Sequence, residues 1–219
     1  MRAGNATRGR QTPGKPAGST PLSRIPVIRW NYTAAMRGLI FTEFIALVEE
    51  KFGLAMSDGI LSQPGLSDGG AYTSVGSYDH REMLTLVTGL ADRTGLPVDE
   101  LCRIFGEWLF PKLARGFDFS VKPHRDAFSF LQSLDGVIHV EVRKLYPDAN
   151  LPRVPVVRCD ARELVMEYRS ERPFADVAEG LIRGCLAWFG ELATVRREPL
   201  GPDAARATRF TISRTGAAA

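Results

Sequence analysis

The chain has 219 residues, of which 44% are hydrophobic and 24% charged, the make-up of an ordinary globular protein rather than a fibrous or disordered one. Its formal charge of +3 is local: Arg2, Arg8, Arg10, Lys15, Arg24 and Arg29 lie in the first 35 residues, which contain no Asp or Glu, so the remainder is net negative. A nucleic-acid groove is therefore not indicated, and no uncharged apolar run approaches the roughly 20 residues that a membrane-spanning helix needs.

In chain order, residues 1–35 are rich in Arg, Gly, Pro, Ser and Thr. They are expected to be a disordered basic extension, or to stem from an upstream start codon ahead of a true start at Met36. A secretion signal is not expected, because Arg24 and Arg29 interrupt the only candidate apolar stretch. Cys102, Cys159 and Cys185 are odd in number, widely spaced and form no CxxC pair. That usage fits reduced thiols in a cytoplasm and excludes both a disulfide frame and the usual covalent haem attachment.

Ile40, Phe44, Leu47 and Val48 fall at helical spacing between Arg37 and Lys51, with Gly53 as the stop. Residues 64–78, with four glycines, read as an irregular connection, and Asp79 with Glu82 reads as a capping pair opening a helix that ends near Gly95. Pro97, followed by Asp99 and Glu100, starts another helix containing Leu101, Ile104, Phe105, Trp108 and Leu109. Phe128, Leu131, Leu134, Ile138, Val142 and Leu145 predict one continuous helix up to Pro147.

The character then changes. Val154–Cys159 and Leu164–Tyr168 are β-prone runs around a polar turn, Phe174 to Phe189 is a further helical stripe, and Thr194–Arg196 and Arg209–Ser213 are closing strands. Helices first and a strand-rich end predict an α+β domain over residues 36–213, with a disordered tail at 214–219.

Common catalytic signatures are missing: there is no GxSxG, HExxH, P-loop or strand-linked GxGxxG, so an enzyme is not expected. Of three histidines, His80 and His124 lie in polar stretches and are expected to be solvated. His139 lies in the apolar run 137–142, where it reads either as a core histidine bonded to a backbone carbonyl or as a metal ligand. Tyr168, Ser170 and Arg172 alternate, so in an extended segment they project from one side. Two hydroxyls and a guanidinium suit a pair of carboxylates such as haem propionates, or else a plain polar strand face in water.

Taken together, Met-Arg-Gly-Leu-Ile-Phe at 36–41, Val-Ile-His-Val-Glu-Val-Arg-Lys-Leu-Tyr at 137–146, Leu-Pro at 151–152 and Tyr-Arg-Ser-Glu-Arg at 168–172 resemble the haem nitric oxide/oxygen binding (H-NOX) family, the fold of the sensor domain of soluble guanylate cyclase. The last segment matches the family's YxSxR motif. The resemblance implies haem b bound with His139 as the iron ligand, Tyr168, Ser170 and Arg172 on the propionates, and Pro152 pressing on the porphyrin.

The resemblance also places Ile40, Phe44, Leu109, Val177 and Leu181 around the gas site. Oxygen-binding members carry a tyrosine at the position of Val177, so this chain resembles the nitric oxide-sensing branch, which excludes oxygen and binds carbon monoxide. As partners the resemblance implies nitric oxide and a separately encoded histidine kinase or diguanylate cyclase. The alternatives are a haem enzyme acting on nitric oxide or peroxide, against which stands the lack of a distal His, Arg or acid, and a haem-free interaction module, against which stand His139 and the 168–172 trio.

Overall fold

The computed structural model describes Met1, residues 35–147 and residues 149–215. The expected extension falls outside the described residues except at Met1 and Ala35, and so does the expected tail beyond Thr215. Strand β1 (Ala35–Arg37) leads into α1 (Gly38–Phe52) and α2 (Leu54–Leu61), then β2 (Ser77–Asp79) and α3 (His80–Thr94). Helices α4 (Val98–Gly116), α5 (Asp118–Val121) and α6 (Ala127–Ser133) follow, and a π-helical turn (Leu134–Ile138) joins α6 to α7 (His139–Leu145). Strands β3 (Val156–Cys159) and β4 (Glu163–Arg169), helix α8 (Ala175–Trp188), and strands β5 (Ala193–Pro199) and β6 (Ala207–Arg214) complete an α+β architecture.

The four-stranded antiparallel sheet has the order β3-β4-β6-β5, and β1 pairs with β2 in a separate two-stranded sheet. Period-two alternation sends Leu164, Met166 and Tyr168 of β4, and Thr208, Phe210 and Ile212 of β6, to the buried face. Leu164, Met166, Tyr168, Phe210 and Ile212 form one hydrophobic core with Phe128, Leu131, Ile138, Ile182 and Cys185. A second core gathers Phe41, Phe44, Leu47, Leu86, Leu90, Phe105 and Leu109 from α1, α3 and α4. Leu181 of α8 packs against both cores.

Helices α4 and α8 cross at backbone contact, and glycine makes this possible. A Cβ at Gly106 would lie 2.3 Å from the Val177 carbonyl oxygen, and one at Gly180 would lie 2.1 Å from the Arg103 carbonyl oxygen. Pro111 sits inside α4, so the Glu107 carbonyl loses its helical donor. That carbonyl faces Gly184 of α8.

Several expectations need correction. Asp79 does cap α3, accepting from Arg81 N at 2.9 Å. Its presumed partner Glu82 is buried instead and accepts from Ser67 N, Ser67 Oγ and Tyr72 OH at 2.8–2.9 Å, anchoring the 64–78 connection. The continuous helix expected over 128–145 is present as α6, the π turn and α7 in unbroken succession; the π turn inserts a residue into the ladder, Ile138 is buried as its spacing predicts, and Leu145 is exposed where the stripe expected burial. Helix α2 and the β1–β2 pair were not anticipated. Among the described residues no helix is long and apolar enough to cross a membrane.

Candidate functional site

Between the two cores lies a cavity of about 480 Å³, within the usual size range of a buried ligand site. One wall is built by α1, α4 and α8, which contribute Ile40, Leu109, Val177 and Leu181 together with Phe105 and Leu113. Val177 and Leu181 stand one turn apart on α8, so both point to the same side. The lining also includes Ile138, His139 and Val142 of the π turn and α7, Leu151, Pro152 and Val154, Tyr168 of β4, and Arg172 of the β4–α8 connection.

His139 is the first residue of α7, and its side chain is 13% exposed. Its Nδ1 lies 3.2 Å from Asp135 Oδ1, one helical turn upstream. An ionised carboxylate can only accept, so this contact suits a ring proton on Nδ1, which would leave Nε2 as the basic nitrogen of a residue that lines the cavity. The Asp135 carboxylate is itself held by the backbone N–H of Val154, which lies 3.0 Å from each of its oxygens. Burial lowers the pKa of His139 below the ordinary histidine value. Asp135 acts in the opposite sense, and the nearby Arg143 charge adds to the lowering.

At the other polar corner Arg172 is buried, and burial lowers even its guanidinium pKa, against the pull of Tyr168 and Glu171. Its Nη2 donates to the Asn150 carbonyl, and its backbone N–H donates to Ser170 Oγ at 3.1 Å. The buried Tyr168 hydroxyl donates to the Arg172 carbonyl at 3.4 Å, and burial raises the phenol's pKa. Elsewhere on the lining, the Arg37 guanidinium lies 4.5 Å over the Tyr146 ring and donates to the Val75 carbonyl at 3.0 Å. Both Arg37 and Tyr146 line the cavity.

Of the site residues expected from sequence, His139, Pro152, Tyr168, Arg172, Ile40, Leu109, Val177 and Leu181 meet on this one cavity. Phe44 and Ser170 do not line it. Phe44 is fully buried behind the wall, edge-on to Phe105 at 5.2 Å, and Ser170 braces the Arg172 backbone. His80 is not solvated as expected: it is buried, with its Nδ1 3.3 Å from Asp79 Oδ1 and its ring edge-on to Phe174 at 6.2 Å, because α8's entry folds back over it.

His124 is half-buried and bonded to Ser133 Oγ at 3.1 Å. Cys102 and Cys185 are buried, Cys102 with its pKa pushed up to about 12 by burial, while Cys159 is exposed. The residue that sequence reasoning passed over is Asp135, although its spacing from His139 marks the two as neighbours on a helix face.

Among the described residues no group of three or more His, Cys, Asp or Glu is placed to hold a metal ion, so His139 could serve a metal only if a cofactor brought the other donors. The sequence model of the family described as haem-NO-binding matches residues 37–197. The chain belongs to the haem-NO-binding (HNOB) family.

The fold agrees with that of solved H-NOX proteins. The Fe(II) unliganded A71G mutant from K. algicida is 37% identical with a TM-score of 0.79, covering 83% of this chain and 98% of that one. The Fe(II)CO H-NOX from Shewanella woodyi is 41% identical with a TM-score of 0.71, covering 84% and 97%. The Fe(II)NO form from S. oneidensis is 26% identical with a TM-score of 0.76, covering 83% and 100%. A curated relative, the soluble guanylate cyclase gcy-35 of Caenorhabditis elegans, is 27% identical over 154 residues, 68% of this chain. The match spans 22% of that cyclase's length.

Haem fits the residues of this HNOB cavity. A single basic imidazole nitrogen suits an iron already held by four porphyrin nitrogens, the apolar lining suits the macrocycle, and a buried guanidinium suits its carboxylates.

Proposed function

We propose that this chain is a haem-based nitric oxide sensor, not an enzyme, which binds haem b through His139 and passes its signal to a separate protein. The single observation that carries the reading is His139 with Nδ1 engaged by Asp135, on the wall of a largely apolar cavity that the buried Arg172 also lines. Ferrous haem, when bound, supplies an open coordination position for a diatomic gas.

In this reading the chain's own residues do four things. His139 Nε2 is the sole protein ligand to iron. Arg172 and Tyr168 hold the propionates, and Ser170 supports them through the Arg172 backbone. Pro152 presses on the porphyrin face. Ile40, Leu109, Val177 and Leu181, with Phe44 behind them, surround the gas with groups that donate no hydrogen bond.

Bound oxygen draws electron density and needs a donor, whereas nitric oxide and carbon monoxide do not, so this wall selects against oxygen. His139 would tie the haem to α7, so a change at that tie would be passed to α7 and the π turn, and that displacement would be the output. The receiver is a histidine kinase or diguanylate cyclase on another polypeptide. The sensing domain is assigned to residues 36–213, with no role given to the segments on either side.

The test is haem content in protein purified from haem-replete cells. The wild type is expected to carry one haem b per chain, and His139→Gly is expected to lose it or to recover it only with added imidazole. A haem-free wild type, or an unchanged ferrous spectrum in His139→Gly, overturns the assignment.

A further inference from the structure

The contacts of Asp135 reach further than one imidazole. Its carboxylate takes His139 Nδ1 at 3.2 Å on Oδ1 and sits 3.0 Å from Val154 N through either oxygen. Val154 follows Pro152 by two residues, and both line the cavity beside His139. Asp135 itself stands inside the π turn, where the ladder shifts phase just before α7. One side chain therefore joins the helix that carries His139 to the segment that carries Pro152.

We infer that Asp135 is a positioning residue for iron ligation: it fixes His139 as the Nδ1–H tautomer with Nε2 turned to the cavity, strengthens that nitrogen as a donor, and binds the His139 and Pro152 elements into one unit. This inference rests on the haem reading above. The physical reason is that an imidazole whose Nδ1 proton is drawn towards a carboxylate is more basic at Nε2 and is restricted in rotation about its own side-chain bonds. The Val154 N–H supplies the second tie: it keeps the carboxylate from swinging away and transmits any displacement of α7 to the turn at Pro152.

Two variants and two readouts separate this role from a merely structural one. Asp135→Ala removes both ties, whereas Asp135→Asn keeps an acceptor for Val154 N and removes the charge. In the haem-loaded ferrous protein both variants are expected to lower the iron–histidine stretching frequency seen by resonance Raman, Asp135→Ala more than Asp135→Asn. Loss of such a supporting partner typically costs roughly ten- to hundredfold in metal affinity.

In haem-free protein, nitrogen-15 NMR of the imidazole is expected to show the Nδ1–H tautomer at His139 in the wild type and a mixture in Asp135→Ala. Should Asp135→Ala fail to fold, Asp135→Asn carries both readouts, with slow exchange of the Val154 amide reporting that its backbone tie is intact. An unchanged stretching frequency in a variant with lowered thermal stability shows that Asp135 only props the backbone and overturns the inference. A wild type without haem sinks the haem reading instead, and the tautomer measurement then decides the role of Asp135: a shift supports the positioning of His139, and no shift overturns it.

Discussion

On one side of the cavity His139, Tyr168 and Arg172 are each fixed by hydrogen bonds to a neighbour on a different turn or segment. On the other side Ile40, Leu109, Val177 and Leu181 offer no polar atom. The polar side specifies what is held and in which orientation, because each charged or hydroxylic group there is desolvated and has a fixed direction. In the proposed reading the apolar set specifies what is refused, since a gas that needs a hydrogen-bond donor finds none on these four side chains. Leu109, Val177 and Leu181 lie on the two helices that cross closely at Gly106 and Gly180, while His139 directly follows the π turn. In the proposed reading, gas selection falls to the helices that cross at Gly106 and Gly180, and anchoring falls to the elements around the π turn.

That division is broken most severely by Arg172→Ala. Removing a buried guanidinium strands the propionate charge, a loss on the order of 3 to 5 kcal/mol, the range for breaking a buried charge pair. Transfer of haem to a scavenger is expected to accelerate by roughly a hundredfold or more. Ser170→Ala, which loses one neutral hydrogen bond to the Arg172 backbone, is expected to cost only about 0.5 to 1.5 kcal/mol. Equal rates of haem loss in the two variants contradict the assignment of Arg172 as the main anchor.

The apolar wall is sharpened by Val177→Tyr, which carries a phenol into the space that Val177 now lines. One donor to a partly anionic oxygen contributes about 1.5 to 3 kcal/mol. Oxygen residence, followed by stopped-flow spectroscopy, is expected to lengthen roughly tenfold to hundredfold. No change in residence contradicts the placement of Val177 beside the gas, unless the Leu109 side blocks the hydroxyl, in which case Leu109→Ala in the same background restores the gain.

The parts legible in the sequence are those set by local rules. Helices α1, α3, α4 and α8 follow their apolar spacing and their glycine and proline punctuation to within a residue or two. The hairpin of β3 and β4 follows β-prone runs around a polar turn, and β6 runs one residue past the expected end, to Arg214. Spacing alone left His139 and the Tyr168–Arg172 trio open to plain structural readings, and it was the resemblance of several segments taken together that singled them out.

What was missed depends on tertiary partners. Helix α2 buries only Ser57 and Ile60, too few positions for a stripe to show. The π turn leaves the spacing of Leu131, Leu134 and Ile138 helical, so periodicity cannot detect it. Glu82 looked like a cap until the 64–78 connection supplied three donors to it, and His80 looked exposed until Phe174 covered it. Asp135 shows its purpose only when Val154, nineteen residues on, comes to its carboxylate.

The most direct test of the account is the absorption spectrum of the haem-loaded ferrous protein, recorded anaerobically, then in air, then with carbon monoxide and with nitric oxide. Air is expected to leave the ferrous spectrum without a stable oxygen complex, carbon monoxide to bind with His139 still attached, and nitric oxide to bind with His139 released. A stable oxygen complex in the unmodified protein contradicts the claim that the wall of Ile40, Leu109, Val177 and Leu181 discriminates against oxygen.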